Sequence, residues 1–130
     1  MKNQLLLALS EQEYQRLVPH LERVNLPIKQ ILYEAGEPIT HVYFPEQSIV
    51  SLVCNQEDGS TVEAGIVGND GMVGLPVIWG GKTTTTTAFV QVGNGGSRMK
   101  AEHLKAEFNK GGELQILLLR YTQAMFTQVT

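Results

Sequence analysis

The stretch Gly68–Val92, GNDGMVGLPVIWGGKTTTTTAFVQV, gathers the residue types that could hold a ligand: five of the chain's 13 glycines, its only tryptophan and five consecutive threonines. Closely spaced glycines let backbone N–H groups converge on an anion. The start of a helix does this best, because its unpaired N–H groups and its dipole both favour negative charge. Five hydroxyls can donate and accept hydrogen bonds, and an indole can lie over a flat apolar ligand. The same residues also carry plainer readings. Threonine is β-branched, so Thr84–Thr87 can simply lead into a strand, Trp79 can fill a loop or the core, and Met72 can plug a gap. The sequence leaves both sets of readings open.

Other reactive groups are sparse. GNDGMVG does not match the dinucleotide fingerprint G-x-G-x-x-G, and neither a P-loop nor a Ser/His/Asp elbow occurs. His20, His41 and His103 are expected far apart, on a helix, a strand start and a second helix. That spacing leaves no ligand set for a metal and disfavours a cupin-like enzyme. The lone Cys54 cannot form an internal disulfide, has no basic neighbour in sequence, and reads as a buried small hydrophobe. Glu11, Glu13, Glu22, Glu57, Asp58, Glu102 and Glu107 read as a solvated acidic face and not as a general acid–base pair.

The elements that must position the Gly68–Val92 stretch follow from periodicity. In SEQEYQRLVPHLERV, Ser10 and Glu13 have capping-box spacing, Leu17, Val18 and Leu21 recur at helical spacing, and Pro19 should kink or shorten the helix. Leu5, Leu6 and Leu9 are expected in a short preceding turn. From Val24 to Lys100, short runs rich in Val, Ile, Tyr, Phe and Thr are punctuated by Gly, Pro, Asn and Asp, the rhythm of an all-β sandwich or barrel. The predicted strands are Val24–Ile28, Gln30–Tyr33, His41–Phe44, Ile49–Asn55, Thr61–Val67, Ala88–Val92 and Ser97–Met99. Asp58-Gly59 is expected to supply positive-φ residues for a hairpin, with Gly36 and Gly68 at further turns. A short helix is predicted from Ala101 to Gly111–Gly112. A second begins at Glu113 and carries Leu114, Leu117, Leu118, Tyr121, Met125 and Val129 on one stripe. That stripe can fold onto its own β-roll or bury against a symmetry mate. The pattern is still running at Thr130 without a stop signal, so the chain is expected to be the front part of a longer protein.

At 130 residues, 42% hydrophobic and 18% charged, the chain has the composition of one folded domain and not of a disordered segment. A formal charge of -3 and no Lys/Arg-rich run argue against this segment wrapping nucleic acid or docking on anionic lipid. No apolar run approaches the roughly 18 residues that span a bilayer. A soluble, cytoplasmic protein is expected.

The order of a short helix, about seven or eight strands and a two-helix tail resembles the cyclic-nucleotide-binding domain, and more closely the sensory half of the Crp/Fnr family of bacterial transcription regulators. The resemblance is carried by LSEQEYQRLVPHLERVNLPIKQILYEAGEPITHVYFPEQSIVSLV, with Ile31, Leu32, Gly36, Glu37, Val42, Tyr43, Phe44, Ile49 and Val50 on family positions. DGSTVEAGIVGNDGMVGLP and FVQVGNGGSRMKAEHLKAEF carry the rest. It implies a mainly β fold, a double-stranded β-helix (jelly roll) at residues 1–112 with a short N-terminal helix and C-terminal helices. The last of these, from residue 113, would be the start of a dimerisation helix, with Leu114, Leu117, Leu118, Tyr121 and Met125 at the interface of a homodimer.

The resemblance further implies an effector-sensing regulatory domain, not an enzyme, whose DNA contacts come only through a downstream helix-turn-helix. The effector would be a cyclic nucleotide or another small anion. In binding members a cassette reading roughly G-E-[LI]-[AG]-L, then R-[ST]-A, cradles the phosphate. Here Gly71, Met72, Val73, Gly74 and Leu75 fall on the first part and Thr86, Thr87 and Ala88 on the second, with Trp79 and Lys82 in the loop between. Met72 stands where the family has the ribose-binding glutamate, and Thr86 where it has the phosphate-binding arginine. The cassette is therefore expected to be degenerate and not to bind cyclic AMP in the usual way. A ligand-free dimerisation scaffold is the alternative.

Overall fold

The computed structural model describes residues 2–80 and 83–129, with side chains described through residue 125. Two short helices, α1 (Gln4–Leu7) and α2 (Glu11–Leu17), precede seven strands: β1 (Glu22–Leu26), β2 (Ile31–Tyr33), β3 (His41–Pro45), β4 (Ile49–Asn55), β5 (Thr61–Val67), β6 (Thr87–Val92) and β7 (Asn94–Lys100). Helices α3 (Ala101–Phe108) and α4 (Glu113–Val129) follow. All strand pairs are antiparallel, in a three-stranded sheet ordered β1-β7-β3 and a four-stranded sheet ordered β2-β6-β4-β5. The mainly β jelly-roll expectation is met. The core between the sheets is closed by Leu26, Val42, Phe44, Val50, Val67, Val90 and Met99, all 2% exposed or less.

Several boundaries move for physical reasons. The first strand runs Glu22–Leu26, not Val24–Ile28, because its partner β7 sets the register from Glu22↔Arg98 to Leu26↔Asn94. The last strand is Asn94–Lys100 and not only Ser97–Met99. Gly95 and Gly96 weaken a strand taken alone, but a Cβ at Gly96 would stand 3.0 Å from the Phe44 carbonyl oxygen, so only glycine lets the central strand approach this closely. In the β4–β5 connection only Gly59 has positive φ (+88°), while the Asp58 carboxylate accepts from Ser60 N (3.0 Å) and Ser60 Oγ (2.6 Å). These bonds hold that carboxyl below its ordinary range.

The N-terminal helices are tied to distant parts of the chain. Ser10 Oγ caps α2 by accepting from Glu13 N at 3.3 Å, and α2 gives way to a 3-10 turn at Val18–His20, where Pro19 lies. The second half of the expected capping box is absent. Ser10 N donates to the Glu113 carboxylate, and the Glu13 carboxylate accepts from Leu114 N at 3.2 Å, so α2 and α4 cap each other. Glu13 and Glu107 therefore leave the expected solvated face: their side chains are only 14% and 13% exposed. Asn3, 3% exposed, caps α1 through Leu6 N and donates to the carbonyls of Pro45 (2.8 Å) and Gly71 (2.9 Å).

The stripe on α4 turns inward. Leu114 and Leu118 are 5% and 1% exposed and belong to the same buried cluster as Leu104 and Phe108 of α3, with Leu117 and Tyr121 packed against it. The outward face carries Ile116 and Leu119, each about half exposed. The side chain of Val129 lies outside the described residues. Among the described residues no helix is long and apolar enough to cross a membrane.

Candidate functional site

The Gly68–Val92 stretch does not start a helix at its first glycines. Residues Gly71–Gly74 run irregularly along β3, where Val73 and Tyr43 exchange backbone hydrogen bonds of 2.8 and 2.9 Å. A 3-10 turn, Leu75–Trp79, begins four residues after Gly71. Gly74 precedes it at φ +107°, a conformation that favours glycine, and a Cβ there would also meet Val42 Cγ1 at 2.8 Å.

Of the five backbone N–H groups of the expected cradle, Gly71–Leu75, the first three are engaged. Gly71 N donates to Gly68 O (3.2 Å), Met72 N to the Tyr121 hydroxyl (3.2 Å) and Val73 N to Tyr43 O. Tyr121, on α4, lies directly over Gly71, where an added Cβ would overlap its hydroxyl. Burial, opposed by the bond from Met72 N and assisted by the negative charge of Asp70, raises the Tyr121 phenol above its ordinary range.

Beside this contact lies a cavity of about 270 Å³, close to the lower end of small-molecule sites. Of the sequence-predicted cradle residues it collects Met72, Gly74, Leu75, Trp79 and Thr86. Gly71 is covered by Tyr121, Val73 and Ala88 are wholly buried in the core, and Thr87 Oγ1 instead accepts from Ala35 N at 3.0 Å. Lys82 lies outside the described residues. Trp79, half exposed, stands at the rim, and Met72 is 2% exposed.

The threonine run enters β6 only at Thr87. Thr84–Thr86 instead line the cavity, folded by Thr86 N donating to Thr84 Oγ1 (3.2 Å), while Gly36 N donates to Thr84 O (2.8 Å). The remaining wall was missed by sequence reasoning: Tyr33 from β2, Leu52 from β4, Ala64 from β5, and Met125 from α4, which the sequence assigned to a dimer interface. No local signal marks them, because Tyr33 reaches the site only through its cross-strand pairing with Ala88.

The wall is apolar with a patch of hydroxyls. Among the described lining residues none carries a formal charge. Tyr33 is 8% exposed and hydrogen-bonds Thr86. Burial pushes its phenol up to about 12, a rise that the Thr86 bond partly offsets. The unfolded phenol titrates near 10, so the folded state holds its proton longer. The stability this represents, about 3 kcal/mol, is fully present below pH 10 and lost as pH rises towards 12. Denaturant midpoints should accordingly fall between pH 10 and 12, and Tyr33→Phe should flatten the slope.

A two-sheet antiparallel β-roll, here with a cavity bordered by α4, is the architecture that the comparisons with known proteins also find. The family model for the cyclic nucleotide-binding domain matches residues 23–93, and the chain belongs to that family. No curated protein sequence matches it.

Solved structures similar in fold are regulatory, sensor-type domains. The N-terminal domain of a transcriptional regulator from Streptomyces coelicolor is 20% identical with a TM-score of 0.71, covering 98% of this chain and 89% of that one. The sensor domain of the transcriptional regulator DNR from Pseudomonas aeruginosa is 16% identical with a TM-score of 0.72, covering 96% and 82%. The regulatory subunit of a cAMP-independent protein kinase A from Trypanosoma cruzi, bound to guanosine, is 13% identical with a TM-score of 0.74, covering 98% of this chain and 50% of that one.

Proposed function

We propose that this domain is the sensing part of a regulator of the Crp/Fnr type, and that its cavity takes a small uncharged ligand of nucleoside class instead of a cyclic nucleotide. The observation that carries this reading is that none of the described lining residues carries a formal charge, together with the engagement of the Gly71, Met72 and Val73 N–H groups. Burying a phosphate there without a partner would cost several kcal/mol, whereas the planar base of a nucleoside suits Trp79, Met72 and Met125 and its sugar hydroxyls suit Tyr33 and Thr84–Thr86, all of which line the cavity. The guanosine bound by the Trypanosoma cruzi neighbour supports a phosphate-free ligand in this fold. Calorimetry against guanosine, adenosine, cyclic AMP and cyclic GMP tests it. Heat is expected with a nucleoside at micromolar to sub-millimolar affinity and at least about tenfold weaker binding of its cyclic phosphate. The reverse order would sink the reading.

Occupancy would be passed on through α4. Met125 lines the cavity and Tyr121 bonds its edge, so a ligand that displaces either changes how the helix lies. The helix would pair with a second copy, and a downstream domain would contact DNA. The face available for pairing is that of Ile116 and Leu119, because Leu118 is already in the core. Ile116→Glu or Leu119→Glu should yield folded monomers in sedimentation, while Leu118→Glu should unfold the domain and so cannot report on the dimer. A dimer unchanged by both surface variants would refute this interface.

A further inference from the structure

All three histidines of the chain, expected far apart, meet on the outer face of the β1-β7-β3 sheet, on the border of a cavity of about 200 Å³. Strand alternation makes this possible. His41 and Tyr43 of β3 face the same way, as do Arg98 and Lys100 of β7, and the register aligns Glu22, Arg98 and Tyr43 in one row and Lys100 with His41 in the next. The 3-10 turn after α2 and helix α3 then bring His20 and His103 over these rows, stacked with ring centroids 4.1 Å apart and planes 20° from parallel. Stacking two imidazoles beside two cations puts five nitrogen-bearing side chains against one carboxylate, that of Glu22, which pairs with Arg98 at 3.0 Å and is itself 61% exposed. The Arg98 guanidinium is engaged by Glu22 and by the Tyr43 side chain, but its Nε–H is buried with no hydrogen-bond partner. Such a donor is expensive to leave unmade. A second concavity of about 350 Å³, with Glu102 among its lining residues, adjoins this one and shares His41 and Lys100. Among the described residues no cluster of His, Cys, Asp and Glu is arranged to hold a metal, so the chemistry on offer is donation to an anion.

We propose that this cavity is a second ligand site, separate from the cradle, which binds a small multiply charged phosphate through Arg98 and Lys100 and tightens its grip as His41 takes up a proton. The groups around His41 are Arg98 and Lys100 from β7, Glu22 from β1, His20 from the turn, and His103 and Glu102 from α3, while Thr40 Oγ1 lies 3.0 Å from His41 Nδ1. Burial holds His41 below its ordinary range, as do the charges of Arg98 and Lys100, with Glu22 opposing them. A bound anion offsets the repulsion from Arg98 and Lys100, so binding and proton uptake favour each other. The site would make the domain responsive to phosphate and to mild acid together, whichever ligand the cradle takes.

The test is an NMR titration of the three imidazole ring signals with sodium pyrophosphate at pH 6 and pH 8. The expected result is saturable movement of all three histidines at pH 6 with sub-millimolar affinity, about tenfold weaker at pH 8. The Trp79 indole signal, which reports on the cradle, should stay in place. Lys100→Gln, at an exposed position, should weaken binding about tenfold without altering the fold. Arg98→Lys, which keeps the charge and removes the Nε donor, should weaken it further. Movement confined to Trp79, an equal effect of sodium chloride at matched ionic strength, or undiminished binding by Lys100→Gln would each overturn the proposal.

Discussion

Gly71→Ala should cost about 2–4 kcal/mol and loosen α4 from the β-roll. The alanine Cβ would occupy the space of the Tyr121 hydroxyl, with Cζ of the same ring only 2.9 Å away, so the ring must leave. Its departure exposes a largely buried aromatic and leaves Met72 N without its acceptor. Three measurements check this: a lower denaturant midpoint, faster amide exchange along α4, and return of the Tyr121 phenol towards the ordinary tyrosine range. Tyr121→Phe removes the overlapping oxygen. Alone it should cost about 1–2 kcal/mol, the price of an unmet N–H. Combined with Gly71→Ala it should cost less than the two changes added, since the phenyl ring needs to yield only a few tenths of an ångström. A strictly additive cycle would mean that the hydroxyl is not what excludes a side chain at position 71. The consequence for function is direct: α4 lies where it does because position 71 has no side chain.

Thr86→Arg should raise the affinity of the cavity for cyclic nucleotides. A guanidinium at this position joins described lining residues that carry no charge, beside Tyr33, and a charge-assisted contact there is worth about 1.5–3 kcal/mol, roughly ten- to a hundredfold in affinity for cyclic AMP. Met72→Glu alone should be strongly destabilising, because Met72 is 2% exposed and a carboxylate would be buried unpaired. Joined to Thr86→Arg, which borders the same cavity, the carboxylate gains a cation and a ribose hydroxyl to accept from. The double variant should thus recover part of the lost stability and bind more tightly than Thr86→Arg alone. Calorimetry with cyclic AMP and a melting curve decide the matter, and no heat from the double variant would show that positions 72 and 86 do not correspond to the cassette's glutamate and arginine.

The features read correctly from the chain share one property: the interacting groups are close in sequence. Ser10 caps α2 through Glu13, three residues on, and Pro19 ends that helix within two residues. The order of these elements was enough to indicate the jelly roll and its family. What was misread involves partners far along the chain. The Glu13 carboxylate looked like half of a local capping box, yet Leu114 N, 101 residues away, uses it. Met72 N looked free for an anion, and a tyrosine 49 residues later takes it. The three histidines were separated by helix and strand assignments that were themselves sound, and only the register of β3 against β7 and the placement of α3 bring them together.

By itself, then, the sequence determined the order of most helices and strands and that they form a β-roll of this family. Only the tertiary structure decided what those segments face: that α4 turns Leu114 and Leu118 inward, that Tyr121 caps the cassette backbone, that Tyr33 and Met125 complete an uncharged cavity, and that a cationic hollow exists on the opposite sheet. The physical reason is the range of the forces concerned. Periodicity and caps act within one or two turns of chain, whereas which N–H groups remain unpaired, which charges are desolvated and which side chains share a cavity depend on surfaces that meet only after the sheets and helices have packed.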